Sequence, residues 1–301
     1  MNMGLLFGIL LFWVSGCKSS PPTDSLFVPG GGVGFLLNIE KLAEDDLDFM
    51  TQAIGLRLQL EGISQYSILP LGKDRLRILI PDLEPQKVDS IQKLITRSPR
   101  LALSLVDDGK EFFTSIQKKL PADQSIRLAQ DTYSIGPKAS LETNYLISTS
   151  KNKLAKFIQT LAAPNNRKLC LLPAKHGALA YLLENPPTLD QPAVIEADSI
   201  TNEIEGTYVQ IHFKQQFQKA FSNLTRKNVH RRLAILVNDE IRSLPVIQTP
   251  ISSGQVRVNP SPVTPEEQIV TEAQALAVGL KAWGRIDSLS VIRYKVTPSA
   301  Q

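Results

Sequence analysis

Between residues 33 and 106 the apolar positions switch repeatedly between a period of two and a period near 3.6. Leu47, Met50, Ile54 and Leu58 recur at three- and four-residue spacing, the stripe of an amphipathic helix over residues 45–60. Residues 33–39 and 63–69, on either side, read as extended. Beyond the turn Pro70-Leu71-Gly72-Lys73-Asp74, Leu76, Ile78 and Ile80 alternate like a strand with one covered face. Val88, Ile91 and Leu94 or Ile95 mark a second helix over residues 85–97, and residues 101–106 alternate again. The order β-α-β-β-α-β is the split βαβ, or ferredoxin-like, arrangement.

A like order recurs near the C-terminus. Residues 208–213 read as a strand, Phe217, Phe221 and Leu224 as a helix face, and residues 233–237 and 241–248 as extended. Thr264-Pro265-Glu266-Glu267 has the pattern of a capping box, with Thr264 as the cap and Glu267 reaching back. Ile269, Leu276 and Leu280 follow at helical spacing, and residues 288–296 read as a closing strand. The expected fold is therefore α+β, with two ferredoxin-like units flanking a less regular α/β middle. The expected boundaries are residues 30–108, 109–200 and 201–297. Ile54 and Leu58 are expected to be buried in the first unit, and Phe217 and Phe221 in the second.

With 301 residues, 43% of them hydrophobic, the chain can bury a sizeable core. A net charge of +4 is well short of a nucleic-acid signature, so no nucleic-acid partner is expected. The densest basic run, Arg226, Lys227, His230, Arg231 and Arg232, reads as a solvated helix end. His176, His212 and His230 have no second ligand at metal spacing, and there is no nucleophile elbow or phosphate loop. The glycines at 30–32 precede a strand, whereas a dinucleotide loop follows one. No cofactor, metal or catalytic residue is expected.

Residues 4–14 are almost wholly apolar but too short to span a bilayer, which takes about 20 residues. Val14-Ser15-Gly16-Cys17 resembles a bacterial lipobox, and residues 18–22 turn abruptly polar and proline-rich. No Lys or Arg precedes the apolar run, whereas such a segment normally opens basic. Residues 1–16 are read as a lipoprotein signal peptide and 17–29 as a tether, with lipid attached at Cys17. The only other thiol, Cys170 in Leu169-Cys170-Leu171-Leu172, is then read as a small buried apolar residue.

Several blocks carry a family resemblance. Gly31-Gly32-Val33 with Phe35-Leu36-Leu37, Arg57 with Gly62-Ile63, and GKDRLRILIP at residues 72–81 form the first group. Thr225, Asn228, Val229, LAILV at residues 233–237 and Asn238-Asp239 form the second. Ser243, Pro245-Val246-Ile247, Ile251, Gly254, Thr264, Glu266-Glu267, Leu276-Ala277 and Leu280-Lys281-Ala282 complete it. In this order and spacing they resemble the large extracytoplasmic domain of the SecD family, the SecD/SecDF protein-export factor. The departures are Pro29-Gly30 where the family has Leu-Arg, Asn238-Asp239-Glu240 in place of a glycine turn, and Trp283 at a family glycine. No internal segment reads as a membrane span. The resemblance is thus to this domain without its transmembrane bundle, and the family's proton-coupling residues carry over to no position.

The resemblance implies a non-catalytic extracytoplasmic module, and the lipobox-like segment places it in the bacterial cell envelope, anchored to the membrane through Cys17. It would assist protein export or envelope protein assembly by transient contact with unfolded or emerging polypeptide and with Sec translocon components. The alternative is a structural or partner-binding envelope lipoprotein that reuses the same scaffold without an export role.

Overall fold

The computed structural model describes residues 31–40, 46–108, 110–136, 139–191, 194–284, 286 and 288–296. The first segment contains strand β1 (Gly32–Glu40), helix α1 (Asp46–Leu60), strands β2 (Ser67–Pro70) and β3 (Arg75–Pro81), helix α2 (Val88–Thr96) and strand β4 (Leu101–Leu105). Next come helix α3 (Lys110–Ile116), strands β5 (Arg127–Gly136) and β6 (Ala139–Ser148), helix α4 (Lys151–Gln159), and strands β7 (Arg167–Ala174) and β8 (Gly177–Glu184). The short strand β9 (Leu189–Asp190) leads to β10 (Val194–Asn202), β11 (Gly206–Phe213), helix α5 (Gln215–Lys227), β12 (Leu233–Val237) and β13 (Glu240–Ser243). Strand β14 (Gln255–Val258), helix α6 (Ile269–Trp283) and strand β15 (Ser288–Val296) close the order. The strands form four antiparallel sheets, ordered β15-β1-β3-β2, β10-β11-β14, β13-β12-β4-β9 and β5-β6-β8-β7.

The expected elements form, but not as two self-contained ferredoxin-like units, because two strands exchange places. Strand β4, expected to close the first sheet, pairs with β12 and β9 instead. Its place beside β1 is taken by β15, in unbroken register from Gly32 opposite Val296 to Glu40 opposite Ser288. Burial gives the reason. All five residues of β4 are buried, so it needs a layer covered on both faces. Among the described residues the first sheet carries helices on one face only, and β15, with its alternating exposure, suits that edge. Leu289 and Val291 of β15 join Phe35, Leu37, Met50, Ile54 and Leu58 in the first core.

The remaining sheets stack in layers. Leu101, Leu103, Leu105, Leu233 and Ile235 face Val209, Ile211, Phe213, Phe221 and Ala277 in one core. Phe213 and Phe221 meet edge to face at 5.6 Å, and Phe217 packs half-buried against the same core. From the other side of β4 and β12, Ala102, Ala234 and Leu236 pack on Cys170, Tyr181 and Leu183 of the β5-β6-β8-β7 sheet. That sheet's far face is covered by α3 and α4 through Phe112, Phe113, Ile116 and Leu154.

Three expectations are corrected here. The middle segment is regular: residues 110–184 alone hold β5 to β8 with α3 and α4, and β9 and most of β10 follow before residue 200. Its β5–β6 hairpin is long and polar, and β6 reaches β8 only at residues 146–148, so little apolar alternation announced it. The basic run is not one solvated end. Arg226, Lys227 and His230 are exposed, but Arg232 turns inward over the Tyr133 ring at 4.3 Å and pairs with Asp131 at 2.5 Å. Arg231 pairs with Glu184 at 2.9 Å. The Thr264 capping box does not form either, since a 3₁₀ turn (Glu266–Gln268) precedes α6 and the Thr264 hydroxyl donates to Glu272 instead.

Candidate functional site

The end of α1 brings Arg57 against the C-terminus of α2. Its Nη1 donates to the carbonyls of Leu94 at 3.0 Å and Arg97 at 2.7 Å, groups a helix end leaves unpaired. The guanidinium lies over the Trp283 ring at 4.0 Å from the centroid. Helix α6 approaches this closely because it carries glycine there. A Cβ at Gly279 would sit 3.0 Å from Pro99 and 3.3 Å from Nη2 of Arg57. Burial, and then the Arg97 charge, pull the Arg57 pKa down to about 10, which leaves it cationic at neutral pH. One guanidinium thus joins three helices at the junction between the first sheet's helices and the stacked sheets.

Beside this junction opens a cleft of about 400 Å³. Leu60, Ile91, Leu94, Val237 and Leu276 supply apolar lining, and Arg57, Lys93, Arg97, Arg242 and Glu272 the charge. Arg242 donates to Glu272 at 2.8 Å, and Glu272 also accepts the Ser261 N–H. The β12–β13 turn at the rim uses Asn238 and Asp239 at φ 55° and 66°, a left-handed pair that these side chains tolerate without glycine. Asn238 accepts the Arg100 N–H at 3.1 Å, and Arg100 pairs with Asp190 at 2.8 Å.

Among the described residues no three His, Cys, Asp or Glu lie close enough to hold a metal ion. The cleft's size and mixed lining suit an apolar side chain flanked by polar backbone. A second feature suits extended polypeptide. Strand β15 pairs with β1 on one side only, so its other edge is open among the described residues. At nine residues without a register shift it contrasts with β5 and β10, which are bulged, and with β2, which is short and ends in Pro70. Ile292 on β15 is 52% exposed.

Cys17, the expected lipid-attachment residue, lies outside the described residues. Only the family resemblance marks Arg57 in the sequence, and Trp283 is a departure from it; nothing in their spacing joins residues 226 positions apart. No described helix is long and apolar enough to cross a membrane.

Residues 169–283 match the SecDF P1 head subdomain family. Protein translocase subunit SecD of Calditerrivibrio nitroreducens is 22% identical over 247 residues, covering 81% of this chain and 39% of that protein. SecD of Magnetococcus marinus is 24% identical over 246 residues, covering 82% of this chain and 38% of that protein. The chain thus spans about two fifths of the length of these relatives. Among solved structures, SecDF from Thermus thermophilus, described as a translocon-associated membrane protein, aligns with a TM-score of 0.38 and 18% identity. That alignment covers 88% of this chain and 31% of that one. By the family match and these relatives, residues 169–283 are similar to the SecDF P1 head, and about four fifths of the chain is similar to SecD.

Proposed function

We propose that this chain is a non-catalytic, extracytoplasmic module that assists protein export or envelope protein assembly by transient contact with unfolded polypeptide. In this reading it acts beside Sec translocon components and is held at the bacterial membrane by lipid on Cys17. The observation that carries it is the match of residues 169–283 to the SecDF P1 head, extended by relatives named as translocase subunits over about four fifths of the chain. The open edge of β15 supports it, because added strands bind through backbone hydrogen bonds and so accept many sequences. Contact of this kind is weak, since an unfolded client loses conformational entropy on being ordered.

The test places a photoreactive side chain at Ile292 in the full chain and offers one client protein unfolded and folded. Crosslinking to the unfolded form alone, with micromolar or weaker affinity and little sequence preference, is expected. Failure to capture any unfolded client, beside tight binding to one folded envelope protein, transfers the case to a structural lipoprotein. Mass spectrometry of the mature N-terminus tests the anchor; an unmodified Cys17 removes it.

A further inference from the structure

The charge of this chain is unevenly placed. Residues 110–184 contain eleven Lys and Arg against five Asp and Glu, although the whole chain carries only +4. Folding sorts these charges further. Lys151, Arg167 and Lys168 are taken up by Glu240, Asp107 and Asp239 from outside the segment. Asp131 and Glu184 are in turn taken up by Arg232 and Arg231. Of the charges that remain exposed, five cations gather at one end of the β5-β6-β8-β7 sheet, while Lys110, Glu111, Glu142 and Lys156 stay exposed outside that group.

Four contacts define that end. Ser148 at the close of β6 donates its hydroxyl to the Ser125 carbonyl at 2.7 Å. Gly177 in the β7–β8 turn lies so close to residues 148–149 that a Cβ there would be 1.9 Å from the Ser148 carbonyl oxygen. Ser150 caps α4 by accepting the Lys153 N–H. Arg127 opens β5 opposite Ile147. The 3₁₀ turn Gln117–Lys119 runs into the same loop. Lys118, Lys119, Arg127, Lys153 and Lys175 are thereby placed on one pole, all exposed. Among the described residues none of the five forms an ion pair within 4.0 Å. The carboxylate among them, Asp123, accepts the Ser125 N–H at 3.0 Å, and that bond, with a smaller contribution from the Lys153 charge, holds its pKa below the usual carboxylate range.

We propose that this pole is a docking surface for an anionic phospholipid bilayer, through electrostatic contact with headgroup phosphates. Four of the five cations are lysines, compact point charges that suit phosphates spread over a plane rather than bidentate recognition of one group. The pole is built of turns and helix ends, and none of the large exposed apolar residues lies on it, so it offers neither an inserting wedge nor a seat for polypeptide side chains. Among the described residues the pole carries no exposed Phe, Tyr or Trp on which bases could stack, only the His176 imidazole beside Lys175. Such a surface orients a membrane-tethered chain and adds to the hold of an anchor. The inference is independent of the export reading.

The test uses the full chain with Cys17→Ser, so that no attached lipid contributes, and measures affinity for phosphatidylcholine vesicles with and without phosphatidylglycerol. Preference for the anionic vesicles, weakening as salt is raised, is expected. Lys118→Glu, Lys119→Glu and Lys153→Glu together are expected to reduce that preference by roughly a hundredfold, from about 1 kcal/mol per lost cation. Circular dichroism checks the fold, and the three Lys→Gln changes serve if the reversals fail to fold. Equal affinity for both vesicles, an unchanged preference in the folded variant, or capture of poly-glutamate without vesicle binding would overturn the proposal.

Discussion

The guanidinium carbon of Arg57 stands 4.0 Å from the centroid of the Trp283 ring, so the end of α1 rests on the end of α6. A buried cation over indole contributes about 1–2 kcal/mol. Replacing Arg57 by Met also removes its hydrogen bonds to the part-buried Leu94 carbonyl and the exposed Arg97 carbonyl, at roughly 0.5–1.5 kcal/mol each because water can reach them. Arg57→Met and Trp283→Leu are each expected to destabilise, with a coupling of about 1–2 kcal/mol in a double-mutant cycle. Urea unfolding of the four proteins measures it; additive losses would mean that the stacking contributes nothing.

The strand exchange has its own signature at Gly34. A Cβ there would lie 2.2 Å from the ring of Tyr294, its cross-strand neighbour on β15. Gly34→Val is therefore expected to lower stability by about 1–3 kcal/mol, the usual cost of overpacking. In a Tyr294→Ala background the same change should cost much less. Thermal melts that show equal losses in both backgrounds would contradict the pairing.

Glu272 gathers Arg242, Thr264 and the Ser261 N–H in a pair whose side chains are 14% and 17% exposed. Glu272→Ala leaves Arg242 buried without its counterion, at an expected cost of about 3–5 kcal/mol. The double change Arg242→Met with Glu272→Leu removes both charges and is expected to cost far less. Chemical denaturation ranks the two proteins, and the reverse order would show that the pair itself stabilises.

Burial pushes the Cys170 thiol up to about 11, so the thiolate is scarce at mildly alkaline pH. The native protein should leave Cys170 unalkylated by iodoacetamide under those conditions, and urea should expose it fully. Peptide mass spectrometry reads the modification at this residue. Rapid alkylation of the native protein would place Cys170 at the surface.

The amino-acid sequence by itself determined the local elements of the two end segments. The three- and four-residue spacing of Leu47, Met50, Ile54 and Leu58, the alternation of Leu76, Ile78 and Ile80, and the face of Phe221 and Leu224 each fix a type of element and its buried side. These are properties of periods, and a period is local. Cys170, in an unbroken apolar run, was equally legible as a buried thiol.

Only the tertiary structure decided which strand closes which sheet. β4 and β15 both alternate, and what separates them is whether a second layer covers the outer face, which no window of sequence contains. The same holds for the basic run, where Arg232 goes inward because Tyr133 and Asp131 arrive from a hairpin about a hundred residues earlier. It holds for the cleft as well, whose lining comes from α1, α2, α6 and the β12–β13 turn. Long-range pairing assembles groups that composition and spacing describe one at a time, so the sequence names the residues and packing decides which of them meet.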